Sequence, residues 1–339
     1  MGPATTLRSG ASSCAGEVTR DSRDCDTEAK VPHHGKDNKA PLLLLVNLRA
    51  TRVEPGLVAE VRAALRRRFE VEVVGTGGRG HAVSLCRQAG EFGAVAVLGG
   101  DGTINEAANG LVGGDVPLAC LPGGLTNVFA RALGGPLGAV AAAERLAAGG
   151  GRPCTVDVGS VAGRYFLFSS GLGLSATLTR RHELGPRDTP ALAQVSATWA
   201  ALRAVADEIG QQRRLRVTTP DGLVEGTTVV AQNAGPITFL GRHPLRVCRE
   251  AGLTTRTLSL AVLRRAGPRE LVTLAPRILS GRASAVASHP SIAALPAVTL
   301  ARVETLDGIP LPLDADGEYL GEHMSVEYGV APAALRVLA

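Results

Sequence analysis

A glycine-rich run after an apolar segment carries the residues best suited to chemistry. Residues 94–98 (AVAVL) have the pattern of a buried strand, and residues 99–103 (GGDGT) lead directly into a helix pattern. Glycines let the backbone approach a ligand closely, and the free N–H groups of a helix N-terminus attract anions. Asp101 adds a carboxylate that can face a metal or a positioned donor. The run therefore predicts phosphate binding, with an ordinary strand-to-helix turn as the alternative.

A second glycine turn, residues 123–127 (GGLTN), follows the next apolar segment at 118–121. Two further loops, 47–51 and 76–81, also leave predicted strands. In a parallel sheet, the loops at the carboxyl ends of adjacent strands line one crevice. All four loops are therefore expected at one edge of the sheet. His81 is expected either to satisfy backbone groups or to pack near its loop, rather than to act as an acid or base.

Three carboxylates, Asp314, Asp316 and Glu318, lie close together near the C-terminal end. Asp-Gly at 316–317 is a strong hairpin-turn signal, and turn formation alone would explain it. Phosphoryl transfer to a hydroxyl, however, needs a carboxylate that accepts the hydroxyl proton. Beside the glycine loops, these residues become candidates for that base.

The elements that must position these residues change type along the chain. Residues 1–39 lack periodicity and are predicted to be a disordered tail. Up to about residue 150, strand and helix patterns alternate, which predicts a parallel sheet with helices on both faces. Short strands separated by turns then predict a mostly antiparallel β region, with one helix at 191–209. The strands predicted there are 153–161, 165–170, 215–219, 224–233, 257–262, 283–288, 297–305, 318–328 and 335–338.

Composition limits the class of protein. The 339 residues are 45% hydrophobic, which leaves room for two domains with real cores. The net charge of +5 comes from scattered arginines without aromatic-flanked patches, which argues against a nucleic-acid partner and suits an anionic membrane surface. The six cysteines have no metal-ligand spacing, which indicates a reducing compartment. We expect no transmembrane segment, no secretory signal and a cytoplasmic protein.

The residues that follow GGDGT carry a family resemblance. The run GGDGTxNExxNG, from Gly99 to Gly110, resembles the diacylglycerol kinase-type lipid kinases, which include sphingosine kinases, ceramide kinases and bacterial YegS-like enzymes. The likeness extends from about residue 42 to the end. It implies an α/β nucleotide-binding domain with an NAD-kinase-like parallel sheet over 40–160, a β-rich lipid-acceptor domain over 161–330, and a final strand in 331–339 that returns to the first domain.

The resemblance also implies an activity and its residues. It predicts ATP-dependent, Mg²⁺-assisted phosphorylation of a lipid hydroxyl, by default diacylglycerol to phosphatidic acid in phospholipid biosynthesis. The family's general base lies in a D-G-E motif, which makes Asp316 the leading candidate here, with Glu318 either supporting it or acting as the base. Asp101 belongs to the catalytic set and would hold Mg²⁺ together with Asp157. The ATP-contacting positions correspond to Asn47, Thr76, Gly99, Gly100, Asp101, Gly102, Thr103, Asn105, Gly124, Thr126 and Asn127. The lipid would be met peripherally at the membrane surface, and homodimerisation is left open.

The sequence departs from the family pattern in three loops. Residues 47–51 (NLRAT) replace N-P-x-S-G, and Val128 stands where the family's G-T-G-N-D loop has its acid. Residues 250–255 (EAGLTT) keep one acid of a D-D-G-L-L-D metal run, so we predict that a second, structural metal is absent. Two alternatives remain: an NAD kinase, in which the Asn-Glu pair stands in a separate motif, and an inactive regulator that binds nucleotide or lipid.

Overall fold

The computed structural model describes residues 39–184 and 213–339. The predicted tail, apart from Lys39, and the predicted helix at 191–209 lie outside the described residues.

Strands and helices alternate over the first half of the chain, as predicted. In chain order they are β1 (Ala40–Val46), α1 (Pro55–Leu65), β2 (Phe69–Gly75), α2 (His81–Arg87), β3 (Ala94–Gly99), α3 (Asp101–Leu111), β4 (Leu118–Pro122), α4 (Val128–Ala132) and α5 (Ala139–Ala147), with a 3₁₀ turn at Ala89–Glu91. The four strands pair in parallel in the order β2-β1-β3-β4.

Both faces of this parallel sheet are covered by helices, which is why β1, β3 and β4 are apolar at every position, whereas the edge strand β2 carries Glu70 and Glu72. Leu43 and Val95 face one core, which includes residues of α2 and α3. Leu42 and Ala96 face the other core, built with residues of α1 and α5. The sheet is thereby held rigid beneath the loops that leave its carboxyl edge.

The second half is mostly antiparallel, as predicted. Its elements are β5 (Pro153–Val161), β6 (Arg164–Phe166), β7 (Ser169–Leu172), α6 (Leu174–Leu184), β8 (Leu215–Thr219), β9 (Gly222–Gly226), β10 (Thr228–Gln232), β11 (Thr238–Leu240), β12 (His243–Leu245), β13 (Leu258–Leu263), α7 (Pro268–Leu279), α8 (Ala283–Ala287), β14 (Ile292–Val298), β15 (Leu300–Thr305), β16 (Leu311–Ala315), β17 (Glu318–His323) and β18 (Ser325–Leu338). Six of these strands form an antiparallel sheet in the order β14-β13-β10-β7-β16-β17.

The last strand, β18, connects the two halves. Val337 pairs in parallel with Leu118 of β4, while β18 also pairs antiparallel with β5 and β15. Tyr328 of β18 is fully buried between the two sheets and meets Phe166 edge to face, with ring centroids 6.4 Å apart. A single strand therefore extends the parallel sheet and supplies the core of the β region.

Several predicted elements of the second half were wrong in type or extent. The strand predicted at 283–288 is the helix α8, because a short alanine-rich run favours a helix and has no periodicity to decide between the two. The helix α7 was not predicted at all. The strand predicted at 318–328 is two strands that break at Met324. Within the described ranges, no helix has both the length and the hydropathy that a bilayer span requires.

Candidate active site

A cleft of about 520 Å³ lies between the loops of the parallel sheet and the turn that joins β16 to β17. The four predicted loops all contribute to it, since residues 47, 76, 100–103 and 124–126 line one wall. Residues 316–318 line the opposite wall. The structure thus brings the predicted phosphate-binding run and the predicted base into one cavity.

The wall on the parallel-sheet side is built largely from backbone. Gly100 is the extended N-cap of α3, and Asp101 begins the helix. A Cβ on Gly124 would lie 2.8 Å from Gly100 Cα, so the two loops pack closer than side chains would allow. The first-turn N–H groups of α3 have no carbonyl partner within the helix and lie beside the cleft, where they suit an anion.

Side chains fasten these loops to one another. Asn47 Nδ2 donates to Thr103 Oγ1 at 2.8 Å, which ties the first loop to the start of α3. Glu106 Oε1 accepts a hydrogen bond from Gly80 N at 2.9 Å, which ties α3 to the second loop. His81 Nδ1 accepts from Gly77 N at 2.8 Å, which is one of the two roles expected of it. The cleft wall is therefore preorganised.

Asp101 presents a half-buried carboxylate at the edge of this wall. Its Oδ2 accepts a hydrogen bond from Thr126 Oγ1 at 3.0 Å, and its Oδ1 accepts from Phe129 N at 3.2 Å. Burial raises the pKa of Asp101 above its ordinary value, while these hydrogen bonds lower it in part. A buried carboxylate whose charge is disfavoured is stabilised by a nearby cation. Thr126 thus supplies one contact to Asp101 where the family's acidic neighbour is missing.

Three residues predicted to contact ATP do not line the cleft: Gly99, Asn105 and Asn127. Asn127 is buried and exchanges two hydrogen bonds with Gly124, each 2.9 Å long. It holds the loop in shape from behind, with its own backbone in the left-handed region at φ 47°. Asn105 points toward the opposite wall, where Nδ2 donates to Asp316 Oδ2 at 2.7 Å.

Asp157, predicted to hold Mg²⁺ with Asp101, lies elsewhere. It is 2% exposed, and its carboxylate accepts hydrogen bonds from the backbone N–H groups of Arg256 and Ala333. Its contacts fasten β5 to a neighbouring loop and to β18, and it is not part of the cleft wall. Within residues 39–184 and 213–339, no group of three or more His, Cys, Asp or Glu side chains is arranged to hold a metal ion.

Asp316 lies in the two-residue turn of the predicted hairpin. Asp316 and Gly317 have φ values of 49° and 76°, the left-handed backbone that a tight hairpin turn needs. Besides Asn105, three backbone N–H groups donate to its carboxylate, from Leu167 (2.6 Å), Phe168 (3.0 Å) and Ser169 (3.1 Å).

These contacts limit what Asp316 can do. Burial raises the pKa of Asp316 from its ordinary value of 3.8 to about 6, and the four hydrogen bonds oppose part of that rise. An ionised carboxylate has about four lone-pair sites, and four donors occupy those of Asp316. Its charge therefore holds the turn against the loop that follows β6.

Glu318 follows the turn and is paired with two arginines. Its Oε1 lies 3.2 Å from Arg79 Nη2, and its Oε2 accepts a hydrogen bond from Arg164 Nη2 at 2.8 Å. The carboxylate keeps acceptor sites beyond these two contacts. Sequence reasoning missed both arginines. The place of Arg79 in a glycine-rich loop was an available signal, whereas the role of Arg164 depends on a contact 154 residues away.

The family follows from comparison with known proteins. Residues 41–161 match the diacylglycerol kinase catalytic domain, and residues 172–339 match the YegS C-terminal NAD kinase beta sandwich-like domain. A Pseudomonas aeruginosa (strain UCBPP-PA14) protein named "Probable lipid kinase YegS-like" is 30% identical over 288 residues, which are 82% of this chain and 89% of that protein. The chain belongs to the YegS and diacylglycerol kinase-like lipid kinase family. Membership in this family implies ATP as the phosphate donor and a lipid as the acceptor.

A further relative and a solved structure are also similar to this chain. A Bacillus subtilis (strain 168) diacylglycerol kinase is 40% identical over 116 residues, which span 33% of this chain and only 38% of that protein. A crystal structure of a diacylglycerol kinase from Bacillus anthracis str. Sterne superposes with a TM-score of 0.63 at 19% identity, covering 88% of this chain and 96% of that one. At 19% identity, the likeness to the Bacillus anthracis structure shows a shared fold.

Proposed function

We propose that this lipid kinase transfers the γ-phosphate of ATP to a lipid hydroxyl in the cleft, with diacylglycerol as the first acceptor to test. The observation that carries the proposal is the single cavity lined by both the N-terminus of α3 and the carboxylate-bearing turn at 316–318. Phosphoryl transfer needs these two parts to face each other, an anion-binding wall and a proton acceptor.

On the donor side, the loops would hold the triphosphate through backbone N–H groups. Gly102 leaves room for phosphate oxygens beside the first turn of α3, and the lack of side chains on Gly100 and Gly124 lets their two loops pack together behind it. Arg49 adds positive charge to the cleft wall, whereas Arg79 is paired there with Glu318. Together these groups offset the negative charge of ATP and orient its terminal phosphate.

Asp101 is the residue that fits Mg²⁺. Mg²⁺ commonly binds one or two protein carboxylates together with the substrate's phosphates, so a single carboxylate beside the phosphate-binding loop is sufficient. The burial of Asp101 disfavours its lone charge, which a cation would relieve. Bound there, the ion would neutralise phosphate charge. We propose Asp101 alone as the protein ligand, because Asp157 is engaged with backbone outside the cleft.

On the acceptor side, we propose that Glu318 takes the hydroxyl proton and that Asp316 positions the turn. This reverses the order expected from the sequence. The lone-pair sites of Asp316 are filled by four protein donors, whereas Glu318 lines the cleft with acceptor sites remaining. Arg79 and Arg164 fix the orientation of the Glu318 carboxylate.

The test is an incubation of purified protein with radiolabelled ATP and Mg²⁺. Diacylglycerol, a sphingoid base and monoacylglycerol are offered in detergent micelles, and NAD is offered separately. We expect label in a lipid product and none when Asp101→Asn replaces the wild type. Phosphorylation of NAD but of no lipid would overturn the proposal in favour of an NAD kinase. Bound ATP with no transfer to any acceptor would instead establish an inactive regulator.

A further inference from the structure

Positive charge is concentrated in one segment of the chain. Residues 241–290 contain nine arginines and two glutamates, a net charge of +7, whereas the whole chain carries +5. The rest of the molecule is therefore slightly acidic. This segment comprises β12, β13, α7 and α8.

The helix α7 exposes an apolar stripe in the middle of this basic segment. Val272, Ala275, Pro276 and Leu279 follow the i, i+3, i+4, i+7 spacing of one helix face, and all four are exposed. Val272 is 74% exposed and Leu279 is 55% exposed. Leu274, on the other side of the helix, is buried against β13 and α8. The helix thus packs on the sheet with one face and leaves a second apolar face uncovered.

Arginines surround the stripe. Arg264 and Arg265 precede α7, Arg269 lies in its first turn and Arg282 follows its end. All four are exposed, and within the described parts of the chain none of their guanidinium groups forms a salt bridge. An exposed apolar stripe flanked by basic side chains is typical of helices that lie in a membrane interface.

The stripe lies on a helix that covers the same sheet face as Asp314, which is close to the turn at 316–317. Asp314, Gly171, Val230, Ala261 and Ala294 are successive partners across the six-stranded sheet, so their side-chain positions share one face. On that face α6 contacts Asp314 through a hydrogen bond from Ser175, and α7 and α8 cover Ala261. The strand β16, which contributes Asp314 to this face, ends at the turn that carries Glu318.

We propose that α7 and its flanking arginines dock the protein on a bilayer that contains anionic phospholipids. Arginines offset the negative surface of such a bilayer, and Val272 and Leu279 enter its interfacial region. A kinase whose acceptor is a lipid must meet its substrate in a bilayer, so the choice of occupant rests on the proposed function.

Vesicle binding without ATP tests this surface. Wild type is sedimented with phosphatidylcholine vesicles with and without phosphatidylglycerol, beside the triple variant Arg264→Glu, Arg265→Glu, Arg269→Glu. Each basic residue near an anionic surface contributes a factor of about five, so we expect the triple variant to bind phosphatidylglycerol vesicles at least about 100-fold more weakly. Added salt should weaken wild-type binding. The double variant Val272→Ser, Leu279→Ser should bind both kinds of vesicle about tenfold more weakly.

Matched controls distinguish the loss of the α7 surface from a change in net charge and from a loss of folding. Arg62→Glu, Arg66→Glu, Arg87→Glu makes the same change of charge on exposed positions of the parallel-sheet half. Leu223→Ser, Leu300→Ser removes exposed leucines elsewhere. Both controls should bind vesicles as wild type does, and circular dichroism should show all variants folded. Equal loss of binding in the controls, or none in the α7 variants, would refute the docking surface. If the wild type does not bind vesicles but dimerises through Val272 and Leu279, the stripe is a contact surface for a second copy of the chain.

The two proposals fail in distinguishable ways. A short-chain, water-soluble lipid acceptor needs no bilayer, so wild type and α7 variants should phosphorylate it equally. If no lipid is phosphorylated and vesicle binding still depends on α7, the proposed function is wrong and the docking surface stands. If the soluble lipid is phosphorylated and vesicle binding does not depend on α7, the docking surface is wrong.

Discussion

The two walls of the cleft are held in place over very different distances along the chain. On the parallel-sheet wall, each loop follows its own strand, and neighbouring loops meet through backbone contacts such as Gly123 N to Gly99 O at 2.8 Å. On the hairpin wall, Asp316 depends on Leu167, 149 residues away, and on Asn105, 211 residues away. One wall is therefore encoded locally, and the other is encoded by long-range polar contacts.

This difference decides what a substitution can change. On the locally encoded wall, most positions lining the cleft are glycines and short polar residues, so binding can be altered while the fold remains. On the hairpin wall, the residue that positions the turn also satisfies four donors, so function and stability are coupled there.

On the hairpin wall, the largest effect is expected from Glu318→Gln. The amide cannot accept a proton from the lipid hydroxyl, so kcat should fall by about 100-fold to 10,000-fold. ATP affinity should change little, because the donor wall is intact. Steady-state kinetics with the best lipid acceptor and a separate ATP-binding titration measure the two quantities.

Glu322→Gln is the matched control for that substitution. Glu322 lies on the same strand, β17, and pairs with Arg180 at 2.8 Å, but it does not line the cleft. Its kcat should stay within about twofold of wild type, since exposed ion pairs contribute little. Wild-type turnover in Glu318→Gln would disprove the role of Glu318 as the base.

The second largest effect is expected from Asp316→Asn. The new amide turns two N–H groups toward donors that need acceptors, so the free energy of unfolding should fall by about 2–4 kcal/mol. Turnover should fall as well, because Glu318 loses its position. Urea unfolding gives the first quantity, and kinetics gives the second.

Asp307→Asn provides the comparison for Asp316→Asn. Asp307 also accepts hydrogen bonds from two backbone N–H groups, those of Arg214 and Ile309, but at an exposed site. Asp307→Asn should lower the free energy of unfolding by about 1 kcal/mol or less. Equal costs at the two aspartates would show that the hairpin wall is not held by its buried contacts.

The same contrast explains how much could be predicted from the sequence. The donor wall was predictable because GGDGT and GGLTN each follow their strand directly, and the structure joins them as expected. Asn105 and Asn127 were expected at the nucleotide, yet each forms hydrogen bonds inside the protein. The amide of Asn105 is held by a residue distant in sequence, which no local pattern records, whereas Asn127 bonds to Gly124 within its own loop.

The second half of the chain was harder to predict for a similar reason. The pairing of Glu318 with Arg164, and the contact of Asp157 with Ala333, depend on residues distant in sequence. Helix α7 was not predicted, although its apolar and polar residues follow the helical period. A short apolar run at 283–288 could be placed in a helix or a strand, and tertiary context decided it.

On the donor wall, Gly124→Ala and Gly102→Ala should separate stability from binding. A Cβ at Gly124 would lie 2.8 Å from Gly100 Cα, so the loops must move apart and stability should fall by about 1–3 kcal/mol. A Cβ at Gly102 meets nothing within 4 Å, so the first turn of α3 should be as stable or slightly more stable. Gly102→Ala should still weaken ATP binding several-fold, because the methyl group occupies space needed by phosphate. ATP-binding titration and thermal unfolding of both variants check this, and unchanged ATP affinity in Gly102→Ala would remove α3 from the phosphate site.

The smallest effect near neutral pH is expected from titration of Asp316. Because the pKa of this buried carboxyl is raised to about 6, kcat should decline as the pH falls through about 6 and reach about a tenfold loss per unit below it. Protonation removes an acceptor from the turn and so disturbs Glu318. This loss cannot come from unfolding through Asp316. Because the pKa of Asp316 is higher in the folded state, its protonation stabilises the fold at low pH. That contribution is complete below about pH 4 and is lost as the pH rises through about 6. ATP affinity measured at each pH shows which carboxyl group causes the fall in kcat. Constant ATP affinity assigns the fall to Asp316 on the hairpin wall, and a parallel loss of ATP affinity assigns it to Asp101.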